Sequence, residues 1–357
     1  MTTKLVYVLT CSPDKFYIEQ ALIAVFSARH WNPDACIVLM VDDKTDALLQ
    51  GKRAEILEYV SEKIVIPFED ASLSPMYRSR WIKTSVRQLV KGDFMFVDCD
   101  TIVCRSLDGI DNFDCTVGAV LESHLLVRDY CDSLRNRAVS ANTRIGVDLD
   151  EEKEYYSSGV ISVKDSKVSY RLFEFWHQFW LESQALGLPI DQPSLAKANR
   201  EVGHVIQRIP DTYNCILFTR NSFTEHAHIL HVAAFRNPCF LFTEKVFKEI
   251  KEKGLEGWIR NAILHPHDTM LPFDYSVRHS TLAKRLRWIK SISNTASFIN
   301  NNLPELLDDF PMQSSLRNAV LWFFHHRRYG LGASLWMVWK RTQVLRKKDL
   351  KDNVCKK

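Results

Sequence analysis

The feature that most restricts the fold of this chain is the regular alternation of strand-like and helix-like segments over its first hundred residues. Residues 4–10 (KLVYVLT) and 35–41 (ACIVLMV) have the β-branched, apolar content of buried strands, and residues 17–30 between them have helical periodicity. The alternation continues with a helix at 52–61, a strand at 63–67, a helix at 76–90 and a strand at 93–97. Strands that alternate with helices predict a largely parallel sheet covered on both faces.

The pattern becomes less regular after residue 100. Strand-like segments follow at 116–121, 159–163 and about 229–232, with a long aromatic helix at 170–185. From about residue 244 the pattern is mainly helical. We therefore predict a mixed α/β domain over residues 1–243 and a helical, basic region over residues 244–357.

Composition excludes several other classes of protein. Only 12 glycines occur among 357 residues, and neither a G-x-G-x-x-G nor a G-x-x-x-x-G-K-[ST] string is present, so the common glycine-rich phosphate-binding loops are absent. The 9 cysteines are odd in number and never spaced C-x-x-C. This usage predicts reduced thiols in a reducing compartment rather than a zinc site or a disulfide scaffold.

The basic residues concentrate toward the C-terminus. Residues 278–357 contain 16 Lys and Arg against 5 Asp and Glu, whereas the net charge of the whole chain is only +4. The N-terminus shows no export-signal pattern, and the most apolar stretch, 320–339, is interrupted by a His-His-Arg-Arg run. We expect a cytoplasmic protein that does not span a bilayer.

Tryptophans flanked by cations recur in this basic tail, as at Trp288, Trp322 and Trp336. Helices of that composition are typical of an anionic membrane surface. A helical bundle packed on the preceding domain is the alternative, and no recognised nucleic-acid-binding module is present. The tail therefore predicts peripheral association with the inner face of the membrane and no nucleic-acid partner.

Two carboxylates stand directly after the strand-like run 94–97 (FMFV). Asp98 and Asp100 are two residues apart, so in an extended chain their side chains point to the same side. Ligands of α/β sheets bind at the carboxyl ends of the strands, which is where this pair lies. Carboxylate oxygens suit Mn²⁺ or Mg²⁺ shared with a diphosphate, although two solvated turn acids would give the same D-x-D pattern.

Further strings accompany the D-x-D in a fixed order. They are YRSRWIK (77–83), GDFMFVDCD (92–100), YYSSGVISV (155–163), DQPSL (191–195) and HVAAFRNP (231–238). In that order they resemble the glycogenin and lipopolysaccharide galactosyltransferase-like family of retaining nucleotide-sugar glycosyltransferases, family 8 of the GT-A fold. The resemblance covers about residues 4–240 and implies a GT-A catalytic domain over residues 1–243.

The resemblance implies a metal site and a donor-sugar site. Asp98, Asp100 and His231 would hold Mn²⁺, or Mg²⁺, on the donor diphosphate, where the cation acts as a Lewis acid for the leaving group. Asp191 would bind donor-sugar hydroxyls and Gln192 would lie beneath the anomeric carbon. Glu122, which follows Gly-Ala-Val-Leu, is the candidate for the acid beside the sugar. An N-cap is the alternative role of Asp191, because Asp is favoured before a helix.

The remaining donor contacts also follow from the resemblance. Arg80 would stand near the donor phosphates, with Arg78 and Lys83 as alternatives on the same helix. Cys99 would lie between the two acids in the donor site. Ser158 and Gly159 would let the sugar approach their strand closely.

Three positions depart from the family pattern. In the family that the motifs resemble, the first strand ends in an acid that meets the uracil base, whereas here it ends at Thr10. A UDP-linked donor is the expectation. In the HVAAFRNP string, Ala234 and Asn237 replace a phosphate-approaching Gly and a phosphate-binding Lys, and Arg236 is the nearest replacement for the lost charge.

These departures keep other functions open. The preferred reading is a metal-dependent hexosyltransferase that uses a nucleotide sugar and a glycan or lipid-linked acceptor. A catalytically silent relative that binds carbohydrate or a partner is one alternative. A sugar nucleotidyltransferase is the other, although the segment 10–15 lacks the glycine- and lysine-rich loop that such enzymes need.

Overall fold

The structure is a computed structural model that describes residues 1–130, 132–216, 226–232 and 240–266. All of them belong to the first of two units into which the chain divides, Met1–Asp274. Arg236, Ala234, Asn237 and the basic tail 278–357 lie outside the described residues. The predicted division of the chain at residue 243 stays a prediction.

Ten strands and nine α-helices occur within the described residues. The strands are β1 Lys4–Leu9, β2 Ile37–Asp42, β3 Glu62–Ile66, β4 Phe94–Val97, β5 Thr101–Val103, β6 Val117–Leu121, β7 Tyr156–Val163, β8 Ile206–Arg208, β9 Cys215–Ile216 and β10 Ile229–His231. The helices are α1 Tyr17–Trp31, α2 Asp43–Asp46, α3 Pro75–Thr84, α4 Val86–Leu89, α5 Asp132–Thr143, α6 Lys167–Ala185, α7 Gln192–Glu201, α8 Glu244–Lys253 and α9 Gly257–Leu264. None of the described helices is long and apolar enough to cross a membrane.

Seven of the strands form the main sheet, in the order β3-β2-β1-β4-β7-β6-β8. The first four are parallel, as the helices between them require. β7 is antiparallel to both β4 and β6, and β8 is parallel to β6. The sheet is therefore mixed, with helices on its faces, and the predicted mixed α/β class is confirmed.

A small second sheet brings late residues of the chain beside the D-x-D segment. Its order is β5-β10-β9, with β10 antiparallel to β5 and parallel to β9. In this register His231 lies opposite Thr101 on one side and Ile216 on the other. Residues more than 100 positions apart in the sequence thus meet next to Asp100.

The core beneath the site is formed by the aromatic helix α6. Its buried face carries Leu172, Phe173 and Trp176, spaced as one stripe of an amphipathic helix, against the strands β4 and β7. The indole Nε1 of Trp176 donates to the backbone oxygen of Asp191 at 2.9 Å. Packing of α6 therefore also fixes the start of α7.

Two predicted helices have different forms in the structure. The segment predicted as one helix at 76–90 is two helices, α3 and α4, which are separated at Ser85. The Thr84 hydroxyl donates to the backbone oxygen of Arg80 at 2.8 Å, and such side-chain bonds to the backbone compete with helix continuation. The segment predicted as a helix at 52–61 is a 3₁₀-helix over Gly51–Glu58.

Candidate active site

The D-x-D acids lie at the carboxyl end of β4, in the turn that leads to β5. The backbone N–H of Asp98 donates to the Gly159 oxygen of β7 at 2.8 Å, which continues the sheet pairing past the last strand residue. The Thr101 hydroxyl donates to the Asp98 backbone oxygen at 2.8 Å and closes the turn. Both carboxylates are thereby held at the edge where ligands of α/β sheets bind.

Asp98, Asp100 and His231 come together as predicted from the motif order. One donor atom from each lies within 4.8 Å of the other two, and the His231 Nε2 atom is 3.2 Å from Asp100 Oδ1. The other ring nitrogen of His231, Nδ1, lies 2.9 Å from the Asn214 amide oxygen. Two carboxylates and one imidazole are donors that suit Mn²⁺, and carboxylates also suit Mg²⁺, so the residues fit the implied cation.

The pKa values of these groups reflect their mutual charges. Burial lowers the pKa of His231, but the neighbouring carboxylates, chiefly Asp100, outweigh it and the net pKa is raised. Burial opposes ionisation of Asp100, yet the charge and hydrogen bond of His231 leave its pKa lowered. The pKa of Asp98 is raised, because burial and the charge of Asp100 outweigh Lys83 and His231. The charges of Asp100 and His231 therefore favour each other's ionised form, whereas the surroundings of Asp98 disfavour its ionised form.

Lys83 joins this cluster to the candidate sugar-binding residues. Its side chain is 2% exposed, and its Nζ atom lies 3.3 Å from Asp98 Oδ1, 3.2 Å from Asp191 Oδ2 and 3.3 Å from Ser158 Oγ. The ammonium group also lies 4.9 Å from the centre of the Phe96 ring, at a cation–π distance. One buried cation thus contacts an acid from each half of the site.

Asp191 stands directly before α7, where an N-cap was the alternative role. Its side chain makes no cap hydrogen bond. The carboxylate instead contacts Arg80 Nε at 2.9 Å and Lys83 Nζ at 3.2 Å. These two cations outweigh burial and lower the pKa of Asp191 to about 2. Its ionised form therefore adds stability above the unfolded pKa of about 3.9, and that contribution is lost as the pH falls through about 2.

Gln192 and Glu122 also meet, although 70 residues separate them in the sequence. The Gln192 amide nitrogen donates to Glu122 Oε2 at 3.0 Å and to the Tyr156 backbone oxygen at 2.9 Å. Both amide N–H groups are then directed to protein acceptors. The amide oxygen Oε1 is consequently the atom of Gln192 that can turn toward a substrate.

Arg78 and Thr10 lie at the edge of the site rather than among its charges. Arg78, one of the alternatives to Arg80, is buried and forms an ion pair with Asp42 at the end of β2. The Thr10 hydroxyl donates to the Pro75 oxygen at 2.7 Å, which ties the end of β1 to the start of α3. Thr10 thus helps to place the helix that carries Arg80.

The Cys99 side chain turns away from the two acids. Its thiol lies 3.3 Å from the Val8 backbone oxygen, and burial raises the pKa of this thiol. Any contact of Cys99 with a donor would therefore come from its backbone. Its role in donor binding stays a prediction.

Sequence reasoning missed Asn214 and did not anticipate the central place of Lys83. Asn214 is fully buried, and its amide nitrogen donates to Ser157 Oγ at 3.2 Å while its oxygen holds His231. An outer-shell partner of this kind fixes the tautomer and orientation of a ligating histidine. No motif flagged Asn214, because its contact depends on the pairing of β9 with β10.

Gly159 of β7 lies directly against His231 and Asp98. A Cβ at this position would lie 2.4 Å from His231 Cε1 and 3.1 Å from Asp98 Oδ2. We expect Gly159→Ala to displace the imidazole and to weaken Mn²⁺ binding about tenfold or more, as measured by calorimetry. Gly257→Ala is the matched control, because its Cβ would meet nothing within 4 Å. Equal Mn²⁺ affinity in the two variants would contradict His231 as a ligand.

Comparison with known proteins gives likeness at the level of fold. No protein-family model matches the chain, and no curated protein matches its sequence. Among solved structures, the chain is similar to galactosyltransferase LgtC in complex with donor and acceptor sugar analogs, with 14% identity, a TM-score of 0.46 and coverage of 72% of this chain and 99% of that chain. Mouse xyloside xylosyltransferase 1 in its apo form has 14% identity, a TM-score of 0.41 and coverage of 64% and 96%.

An active-site mutant of LgtC is a further match, with 13% identity, a TM-score of 0.45 and coverage of 75% of this chain and 96% of that chain. The names of all three are those of glycosyltransferases. This is the class of protein that the sequence motifs resemble.

Proposed function

We propose that this chain is a metal-dependent, retaining glycosyltransferase that moves a hexose from a nucleotide-diphosphate sugar, UDP-linked, to a glycan or glycolipid acceptor. The observation that carries the proposal is the single connected site at the carboxyl end of β4. There Asp98, Asp100 and His231 offer a set of cation ligands, and Lys83 links this set to Asp191. One end of the site suits a diphosphate and the other suits sugar hydroxyls.

The protein groups at the sugar end have distinct parts in the proposed reaction. Ionised Asp191, held by Arg80 and Lys83, accepts hydrogen bonds from vicinal hydroxyls of the donor sugar. Glu122 and the Tyr156 carbonyl hold the amide nitrogen of Gln192, which orients its oxygen for the sugar face. These contacts fix the ring before the acceptor arrives and so lower the entropic part of the barrier.

The groups at the diphosphate end stabilise the leaving group. A divalent cation held by Asp98, Asp100 and His231 would supply Lewis-acid stabilisation of the departing nucleoside diphosphate. Asn214 orients His231, and Lys83 places a positive charge beside Asp98. Arg236, in the part of the chain that the structure does not describe, is proposed to add a further charge for the phosphates.

The proposal is tested with the full chain, a panel of nucleotide sugars and Mn²⁺, with chelator-treated samples alongside. We expect one donor to give metal-dependent release of nucleoside diphosphate, and addition of the true acceptor to accelerate it. NMR of the product should show that the anomeric configuration of the donor is retained. Release of pyrophosphate would identify a nucleotidyltransferase instead. Metal-dependent binding of the donor with no release would identify a catalytically silent relative.

The composition of the basic tail supports an acceptor that lies at a membrane surface. Residues 278–357 carry 16 Lys and Arg together with several tryptophans, and each cation near an anionic surface contributes about 1 kcal/mol. We propose that the tail places the site beside a lipid-linked acceptor. In flotation assays we expect binding to anionic vesicles, weaker binding to neutral ones and partial release by salt. Removal of residues 278–357 should abolish flotation, and a truncated chain that still floats would contradict this.

A further inference from the structure

A strained turn directly follows Glu122. Ser123 and His124 both have left-handed backbone conformations, with φ values of 59° and 56°. Non-glycine residues adopt this region at a conformational cost, and two in succession persist only where the surrounding contacts determine them. The turn begins one residue after the acid that holds Gln192, so its shape sets where that acid points.

The His124 side chain supplies those contacts. It is 4% exposed, its Nε2 atom accepts the backbone N–H of Ile216 at 3.0 Å, and its Nδ1 atom lies 3.3 Å from Asp211 Oδ1. A ring nitrogen that accepts a hydrogen bond carries no proton, so the Nδ1–H faces the Asp211 carboxylate. Asp211 also accepts from Arg208 at 2.6 Å. The ring is therefore held from two sides.

Both partners of His124 belong to the segment that positions His231. Ile216 of β9 lies directly opposite His231 in the sheet register. Asp211 begins the 3₁₀-helix Asp211–Asn214, whose last residue holds His231 Nδ1 at 2.9 Å. One imidazole thus connects the turn after Glu122 to the strand and the amide that orient the candidate metal ligand.

We propose that His124 is a positioning residue that fixes the sugar-side acid Glu122 relative to the metal ligand His231. The proposal rests on the proposed function, because it assigns those two groups to the two ends of one donor site. A misplacement of about 1 Å can lower a reaction rate about a hundredfold, so a residue that positions these two groups matters without touching the substrate. His124 acts through Ile216 and Asp211, and it has no direct part in the chemistry.

The test is Mn²⁺ affinity, measured by electron paramagnetic resonance of free Mn²⁺, which needs no turnover. We expect His124→Ala to weaken Mn²⁺ binding about tenfold, the lower end of the effect of outer-shell partners on metal affinity. His204→Ala is the matched control. His204 also has a positive φ, of 58°, and an acidic neighbour, with its Nδ1 atom 3.6 Å from Glu152. Within the described residues, none of its hydrogen bonds goes to β9 or to Asn214. Its variant should bind Mn²⁺ like the wild type.

Two further variants separate the side chain from the backbone. His124→Gly accepts the left-handed conformation without strain, so it should lose the same affinity as His124→Ala if the imidazole is responsible. His124→Gln can place an amide oxygen near the Ile216 N–H and should recover part of the affinity. Wild-type affinity in His124→Gly, with a loss in His124→Ala, would assign the effect to the backbone and overturn the proposal.

The outcomes also distinguish this inference from the proposed function. If the wild type binds no Mn²⁺, the proposed function fails. If the wild type binds Mn²⁺ and folded His124→Ala binds it equally well, only the role of His124 fails. If His124→Ala does not fold, His124→Gln takes its place, together with a double variant that combines His124→Gln with Asp211→Asn. The proposal is overturned if both of these variants bind Mn²⁺ with the affinity of the wild type.

Discussion

Asp98→Ala is expected to abolish detectable Mn²⁺ binding and to lower sugar transfer about a thousandfold, because loss of Lewis-acid stabilisation removes several kcal/mol and about 1.4 kcal/mol corresponds to each factor of ten. The fold should persist. Burial and the charge of Asp100 raise the pKa of Asp98, so its ionised form is disfavoured where it stands. Lys83 keeps Asp191 as a partner at 3.2 Å when Asp98 is removed.

This prediction is checked by calorimetry with Mn²⁺, by nucleoside-diphosphate release and by thermal unfolding of the same preparation. The control is Asp34→Ala, which removes an exposed acid that is distant from the site residues in the sequence. This variant should behave as the wild type. Full turnover by Asp98→Ala in chelator-treated buffer would refute the metal assignment. A melting temperature equal to or above that of the wild type is expected, since removal of a strained functional charge tends to stabilise a fold.

Much of the fold could be predicted from the sequence, because the elements in the first half of the domain are determined by their own short segments of sequence. The strands β1 and β2 are apolar runs bounded by α1, and the ends predicted for them differ from the observed ones by at most two residues. The break between α3 and α4 did not follow, because the Thr84 hydroxyl that competes with the helix there is also held by a distant segment. The Thr84 and Ser85 hydroxyls lie 2.8 and 3.0 Å from His177 Nδ1 on α6, a pairing that only the folded chain shows.

The residues of the site likewise divide into those that the sequence could predict and those that it could not. Asp98 and Asp100 are visible as a local motif at the end of a strand, and His231 could be placed beside them only through the order of the motifs. Lys83 was one of three basic candidates on one helix, and sequence spacing cannot say which of them points inward. Asn214 carries no local signal at all, because its function arises from β9 pairing in parallel with β10.

Asp191→Asn is expected to impair both transfer and stability, in contrast to Asp98→Ala. Lys83 and Arg80 lower the pKa of Asp191 to about 2, which shows that its ionised form is favoured in the fold. Loss of one partner of a buried ion pair lowers the free energy of unfolding by roughly 3 kcal/mol. This is the lower end of the usual range, and we use it because the Arg80 side chain is 31% exposed. For a domain of this size that corresponds to a fall of roughly 6 to 12 °C in melting temperature.

Gln192→Ala separates the sugar-binding role from this structural one. Among the described residues, the Gln192 amide contacts Glu122 and the Tyr156 carbonyl and no cation. Its removal therefore leaves the pairs of Asp191 with Arg80 and Lys83 intact. We expect this variant to keep the wild-type melting temperature and Mn²⁺-dependent binding of nucleoside diphosphate, and to lose transfer. If Asp191→Asn has the melting temperature of the wild type, the ion pairs of Asp191 with Arg80 and Lys83 do not stabilise the fold. If Gln192→Ala loses diphosphate binding while folded, its amide acts on the phosphates, and the assignment of this end of the site to the sugar is wrong.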